Sequence, residues 1–292
     1  MISVSADFNQ FCANLRMSDN VIESVRRRYH NIKRIINQSY WNNESSELHG
    51  MYTGSYGRDT SIYTSDIDII VELPNSEFDR FNSYVGNGQS ALLQSVKRVV
   101  ASPYSRTSIR GDGQVIVVDF TDGIKFEIVP AFAGTLVDYH YPDTNNGGSW
   151  KVMNPKREIR SFNSLNNNTN GNLKLLCRMT RAWKEANNVN ITGIVIDTLA
   201  YNFLHGYAYR RYSPQYYSYM TRDFFQYIVE QANYRSWSRF GLEMTTNNCQ
   251  FMSKAQQAYN WAVKAIEAEN NRVEYMYRQC WRNVYGTRFP QR

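Results

Sequence analysis

The sequence predicts an α+β fold, in which a first lobe of mixed strands and helices (residues 1–150) is followed by a helical second lobe (residues 151–292). Three observations lead to it. The β-branched run Ile67-Asp68-Ile69-Ile70-Val71-Glu72-Leu73 ends at Pro74 and reads as a buried strand. Two further apolar segments, QVIVVDF (114–120) and IKFEIVPAF (124–132), flank the tight-turn sequence Thr121-Asp122-Gly123. Beyond residue 155 the character changes: LKLLCRMTRAWKEA, ITGIVIDTLAYNFLHGYAY, RDFFQYIVEQA and KAQQAYNWAVKAIEAE all place apolar residues at helical spacing.

The remaining elements follow in order. From Ser18, residues Val21, Ile22, Val25, Tyr29, Ile32 and Ile36 recur with a helical period behind a Ser18 or Asp19 cap, so this long helix turns an apolar stripe to a core. Its Arg26-Arg27-Arg28 run lies among polar neighbours and reads as solvated surface. Residues 89–101 fit another helix. Residues 134–155 are rich in Gly, Pro, Asn and Asp and read as the hinge between the lobes.

Composition narrows the class of molecule. Hydrophobic residues make up 42% of the chain, with 22 Tyr and 14 Phe, which supports a large core and excludes low-complexity disorder. The net charge of +7 favours a phosphate-bearing partner without specifying one. Cys12, Cys177, Cys249 and Cys280 form no CxxC pair and the four His are dispersed, so a zinc site has no support. Cys177 falls in an apolar helical pattern and reads as a small core residue. The N-terminal residues do not make a signal peptide, and no stretch reaches the ~18 apolar residues of a membrane helix. A cytoplasmic location is the expectation.

The chemistry concentrates in one segment. Gly54-Ser55 precedes Asp66-Ile67-Asp68, the start of the first predicted strand. Residues i and i+2 of a strand point the same way, so Asp66 and Asp68 present two carboxylates side by side. Adjacent carboxylates repel unless a cation neutralises them, and hard oxygen donors suit Mg²⁺ or Mn²⁺. Two such ions about 4 Å apart can activate an attacking hydroxyl and neutralise a leaving pyrophosphate. Glycine lets the backbone approach a phosphate closely, and the Ser55 hydroxyl, Arg58 and Thr60 add hydrogen bonds and charge. A third carboxylate would come from a neighbouring strand, either Asp119 or Glu127. If Asp122-Gly123 is a two-residue loop, Val118 pairs with Glu127 and Asp119 with Phe126, which sends the two acids to opposite faces. Pattern alone leaves the choice open.

GSYGRDTSIYTSDIDIIV resembles the signature of polymerase-β-like nucleotidyltransferases. It is most similar to the bacterial enzymes related to cyclic GMP-AMP synthase and oligoadenylate synthase, the CD-NTases of the SMODS type. FEIVPAF, GGSWKVMNP, NGNLKLLCRMTRAWK and ITGIVIDTLAYNF extend the resemblance over nearly the whole chain. It implies a catalytic lobe and a helical nucleotide-binding lobe with the active site in the cleft between them. It also selects Glu127, just before a Val-Pro-Ala stretch, as the third acid, where many relatives carry Asp. Arg181, with Lys184 one turn on, occupies the place of a triphosphate-binding basic residue. Gly193-Ile194 stands where relatives often have Ser and a base-stacking aromatic, so stacking would come from elsewhere, such as Tyr52 or Trp237.

The activity implied is metal-dependent joining of nucleoside triphosphates, ATP and a second one, into a cyclic di- or trinucleotide with release of pyrophosphate. Two Mg²⁺ (or Mn²⁺) ions would be held by Asp66, Asp68 and Glu127. The product would switch on a separate effector protein in anti-phage (CBASS) defence, with no obligatory nucleic-acid activator and no membrane partner. Two alternatives remain: transfer to an RNA, protein or small-molecule hydroxyl, and a catalytically silent nucleotide-sensing module. Retention of mutually repelling carboxylates argues against the second.

Overall fold

A computed structural model describes residues 2–62, 66–104, 107–135, 138–240, 243–246 and 250–291; Cys249 lies outside them. In chain order, helices α1 (Val4–Asn14) and α2 (Asp19–Tyr40) precede strand β1 (Gly50–Tyr52), the single turn α3 (Gly54–Gly57) and strand β2 (Asp66–Leu73). Helices α4 (Asn75–Asn82) and α5 (Gly88–Ala101) follow, then strands β3 (Ser108–Asp112), β4 (Val115–Asp119), β5 (Lys125–Ala133), β6 (Tyr139–Asp143) and β7 (Ser149–Met153). Thereafter come α6 (Pro155–Asn168), α7 (Asn172–Ala186), α8 (Gly193–Gly206) and α9 (Tyr217–Glu230). A hairpin of β8 (Ser236–Arg239) and β9 (Glu243–Thr246) precedes α10 (Met252–Asn270) and α11 (Glu274–Tyr285). None of the described helices is long and apolar enough to cross a membrane.

The chain forms two units that are not contiguous in sequence. One comprises residues 17–57 and 64–159, the other residues 1–16, 58–63 and 160–292. A single cut at residue 150 therefore does not describe them. Composition reports where helical patterning takes over, but not that α1 packs with the distant C-terminal segment. Phe8 of α1 meets Trp281 and Phe289 edge-on, with ring centroids 5.2 and 5.3 Å away, and Phe11 lies 4.4 Å from Tyr285.

The first unit is built on a sheet of order β1-β2-β5-β4-β3, with β6 paired to β5 and β7 to β6. β2 and β5 run parallel, and the other pairs are antiparallel. Alternation along β2 sends Ile67, Ile69, Val71 and Leu73 into a core shared with Val25, Tyr29, Ile32 and Ile36 of α2 and Leu92 and Val96 of α5. The stripe expected on α2 is thus the core face, except that Ile22 at its N-terminal end is exposed. Residues 134–155, read as a hinge, contain β6 and β7 (136 and 137 lie outside the described residues). Gly147 and Gly148, both at positive φ, turn the chain between these strands, whose order comes from pairing rather than from an apolar pattern.

The β4–β5 connection corrects the expected register. Phe120 N–H donates to the Ile124 carbonyl and Gly123 N–H to the Phe120 carbonyl, so the loop holds three residues, with Gly123 at φ +84°. The extra residue shifts the pairing by one: Val117 faces Glu127 and Asp119 faces Lys125. Asp119 and Glu127 consequently share one face of the sheet instead of lying on opposite faces.

The second unit is helical around a core that includes Phe162, Leu176, Trp183, Leu199, Phe224 and Trp281. Cys177 is fully buried in it, as its pattern suggested. Ala255, Ala258, Ala262 and Ala265 line the buried face of α10, and their small side chains allow close helix packing.

Candidate active site

The acidic face lies in the first unit and is built by two adjacent parallel strands. Asp66 and Asp68 project from β2 on the side opposite Ile67, Ile69, Val71 and Leu73, and the register sets Asp66 beside Lys125 and Asp68 beside Glu127 on β5. Three carboxylates therefore share one face on neighbouring strands. Asp119 lies on that face but one strand further out, on β4, where its carboxylate pairs with Arg110. Position in the sheet thus places Glu127, not Asp119, next to Asp68.

Lys125 sits among these acids. Its ammonium is 2.8 Å from Glu127 Oε1 and 3.1 Å from Asp66 Oδ1. The hydrogen bond to Glu127, then that to Asp66, raises the Lys125 pKa against the opposing effect of desolvation. Three carboxylates are the hard donor set a divalent ion of the Mg²⁺ class prefers, and a cation already touches two of them, so the residues fit such an ion chemically. Among the described residues, no three ligating side chains converge on one point. Asp66 Oδ1 and Glu127 Oε1 turn toward the ammonium instead.

The Gly54 turn closes on the same face. Thr53 N–H donates to the Asp68 carbonyl at 2.8 Å, and Gly54 has φ +57°. A Cβ on Gly54 would lie 1.8 Å from Asp68 Oδ2, so only glycine permits this approach. Ser55 follows in the single turn α3.

Arg58, Thr60, Arg181 and Lys184, expected to bind nucleotide, lie in the second unit, where the structure engages the first three differently. Asp197 of α8 is fully buried, and its Oδ2 accepts from Arg58 Nε (3.0 Å), Arg58 Nη2 (2.9 Å) and Thr60 Oγ1 (3.0 Å). Its Oδ1 accepts from Arg181 Nη1 at 2.5 Å, and Arg181 Nη2 also donates to the Gly193 carbonyl at 3.2 Å. Burial alone would raise the Asp197 pKa, but the Arg181 and Arg58 guanidiniums outweigh it and hold the carboxyl below its ordinary value. The Arg181 pKa is in turn raised, because Asp197 overcomes the effect of burial. Arg58, Thr60 and Arg181 thus bind an internal carboxylate. Lys184, in the last turn of α7, is half-buried.

Other sequence expectations also resolve. Tyr52 stacks on Tyr29 at 3.9 Å and leans on Tyr56, while Trp237 is buried and its Nε1 donates to Gln231 at 3.1 Å, so both rings are engaged in packing. Arg28 pairs with Asp122 and lies over the Phe120 ring, whereas Arg26 and Arg27 are exposed. Burial pushes the Cys12 thiol, half-buried against the core, up to about 12. Sequence reasoning missed Lys125, Asp197 and the pairing of Lys174 and Arg178 with Asp59. Asp197 carried a usable signal, as the one acidic residue in the apolar run Ile194–Leu199.

A glycine-cradled acidic pair on a mixed sheet, joined to a helical unit, defines a nucleotidyltransferase. Residues 2–166, more than half of the chain, match the Second Messenger Oligonucleotide or Dinucleotide Synthetase (SMODS) domain, and the chain belongs to that family. It is 21% identical to a probable cyclic nucleotide synthase of Bacillus cereus (strain VD146), over 78% of this chain and 72% of that protein. It is 20% identical to the cyclic AMP-AMP-AMP synthase of Acinetobacter sp. (strain ATCC 27244 / 9458), over 85% and 75%. Its fold matches Vibrio cholerae DncV in its GTP-bound form with a TM-score of 0.73 at 11% identity, covering 97% of this chain and 96% of that one. The protein is thus a CD-NTase, a cyclic oligonucleotide synthase that makes second messengers.

Proposed function

We propose that Asp66, Asp68 and Glu127 form the metal-binding set of this synthase and that the Gly54-Ser55 turn seats the triphosphate of the donor nucleotide. The observation that carries this reading is the parallel register of β2 and β5, which sets Asp68 beside Glu127 on the face where Gly54 meets Asp68. Two Mg²⁺ ions, or Mn²⁺, bound there would supply acidity to the acceptor hydroxyl and charge neutralisation to the departing pyrophosphate. Asp66, Asp68 and Glu127 contribute oxygen ligands from strands, whose rigidity keeps the ligands aligned. The Gly54 turn brings backbone and the Ser55 hydroxyl toward phosphate without a side chain in the way. Arg58, Thr60 and Arg181 act from within the helical unit, anchoring residues 58–60 and α7 to α8 through Asp197, and Lys184 remains the residue of that group proposed for phosphate contact.

The substrates are nucleoside triphosphates, ATP with a second one, and the cyclic product is read by a separate effector protein. Incubation with labelled ATP, GTP, CTP and UTP plus Mg²⁺ or Mn²⁺ should give a phosphatase-resistant product. The Asp66→Ala/Asp68→Ala protein should give none while melting within a few degrees of the parent. Product formation undiminished in that variant would end this assignment of the site.

A further inference from the structure

The acidic face carries its own counter-cation. Register sets Lys125 directly beside Asp66, and two residues further along β5 the side chain of Glu127 emerges on the same face. Asp119, which Lys125 also faces across β4, is already paired with Arg110. Lys125 leans instead to Asp66 Oδ1, at 3.1 Å, and to Glu127 Oε1, at 2.8 Å. It thereby joins a carboxylate on β2 to one on β5.

We propose that Lys125 competes with the divalent cation for Asp66 and Glu127, and so sets how tightly the site takes its metal. This rests on the assignment of those carboxylates made above. A divalent ion of the Mg²⁺ class binds carboxylate oxygen at about 2.1 Å. An ammonium at hydrogen-bond distance from the same oxygens would then lie close to a like charge in a partly desolvated site, where repulsion is strong. The two cations cannot share those oxygens, and metal entry requires the Lys125 side chain to swing away. Without the lysine, the metal would meet Asp66 and Glu127 with no ammonium competing for their oxygens. Lys125 therefore offsets part of the negative charge of the face until the metal arrives, and weakens free-metal binding by the strength of two partly exposed ion pairs.

Mn²⁺ binding to the full chain without nucleotide, followed by titration calorimetry and by the electron paramagnetic resonance signal of free Mn²⁺, tests this. Lys125→Met removes the charge at similar length and should tighten binding about three- to tenfold. Lys125→Arg keeps a cation in place and should bind within about twofold of the parent, which separates loss of charge from disturbance of the strand. Asp68→Asn identifies the site, since it should weaken binding in both the parent and the Lys125→Met protein. If Lys125→Met binds Mn²⁺ no more tightly than the parent while Asp68→Asn weakens it, the competition is refuted and the site assignment stands. If neither Asp66→Asn nor Asp68→Asn alters binding, the assignment itself fails, and the competition with it.

Discussion

Replacing Asp197 by Asn tests whether Arg58 and Arg181 serve the fold or the nucleotide. Asp197 has no exposed surface and accepts four hydrogen bonds, three on Oδ2 from Arg58 and Thr60 and one on Oδ1 from Arg181. Asparagine fills the same volume, but it removes the Asp197 charge from two buried guanidiniums and turns an amide N–H₂ toward one of them. Removing one partner of a buried ionic network costs about 3–5 kcal/mol, far more than the net worth of the intact network. In a unit of this size that should lower the melting temperature by roughly 10 °C. Fluorescence of Trp183 and Trp281, both fully buried in the same unit, would follow the transition. The pH dependence has a definite sign. Because the folded pKa of Asp197 is depressed, its contribution is complete above the unfolded value, about 4, and is lost as pH falls through the folded value. The gap between parent and Asp197→Asn should therefore be flat from pH 5 to pH 8 and narrow in stronger acid. Arg181→Met completes the test. If Arg181 is held by Asp197, this variant melts early as well. Unchanged melting in both variants, with a raised nucleotide KM for Arg181→Met, would refute the structural role.

Two further substitutions probe the acidic face. Gly54→Ala would put a Cβ 1.8 Å from Asp68 Oδ2 at a backbone φ of +57°. The strain is only about 1–2 kcal/mol, but a displaced Asp68 should lower turnover about 100-fold in initial-rate assays, and near-normal rates would show that the close approach is dispensable. Glu127→Gln should lower turnover about 10²- to 10³-fold, whereas Asp119→Asn, on the outer strand and paired with Arg110, should stay within about threefold. Equal damage from both would mean that sheet position does not select the third acid.

What could be read before the structure, and what could not, follows from the range of the interactions involved. Asp66 and Asp68 were legible because a strand's alternation is local, and eight residues ending at a proline suffice to fix which side chains share a face. The apolar stripe of α2 was legible for the same reason. Residues 134–155 were not, because β6 and β7 owe their order to hydrogen bonds with each other and with β5, and their own composition favours turns. The docking of α1 onto α11 joins positions more than 250 residues apart, which no window along the chain can register.

The third acid shows how narrow the margin can be. One additional loop residue between β4 and β5 decides whether Asp119 lies with Glu127 or against it, and the sequence Thr-Asp-Gly is compatible with loops of two residues or three. Once the register brings both acids to one face, facing direction no longer discriminates between them, and the decision passes to strand order. β5 adjoins β2 and β4 does not, so Glu127 stands about 5 Å from the Asp68 strand and Asp119 about twice that. The same order carries Lys125 to Asp66, which is why a lysine unremarkable in the sequence comes to touch two of the acids. Both outcomes arise from the parallel pairing of β2 with β5, a contact between segments some 60 residues apart. Local pattern identified the acids on β2; which β5 residues stand beside them depends on a pairing that only the folded sheet supplies.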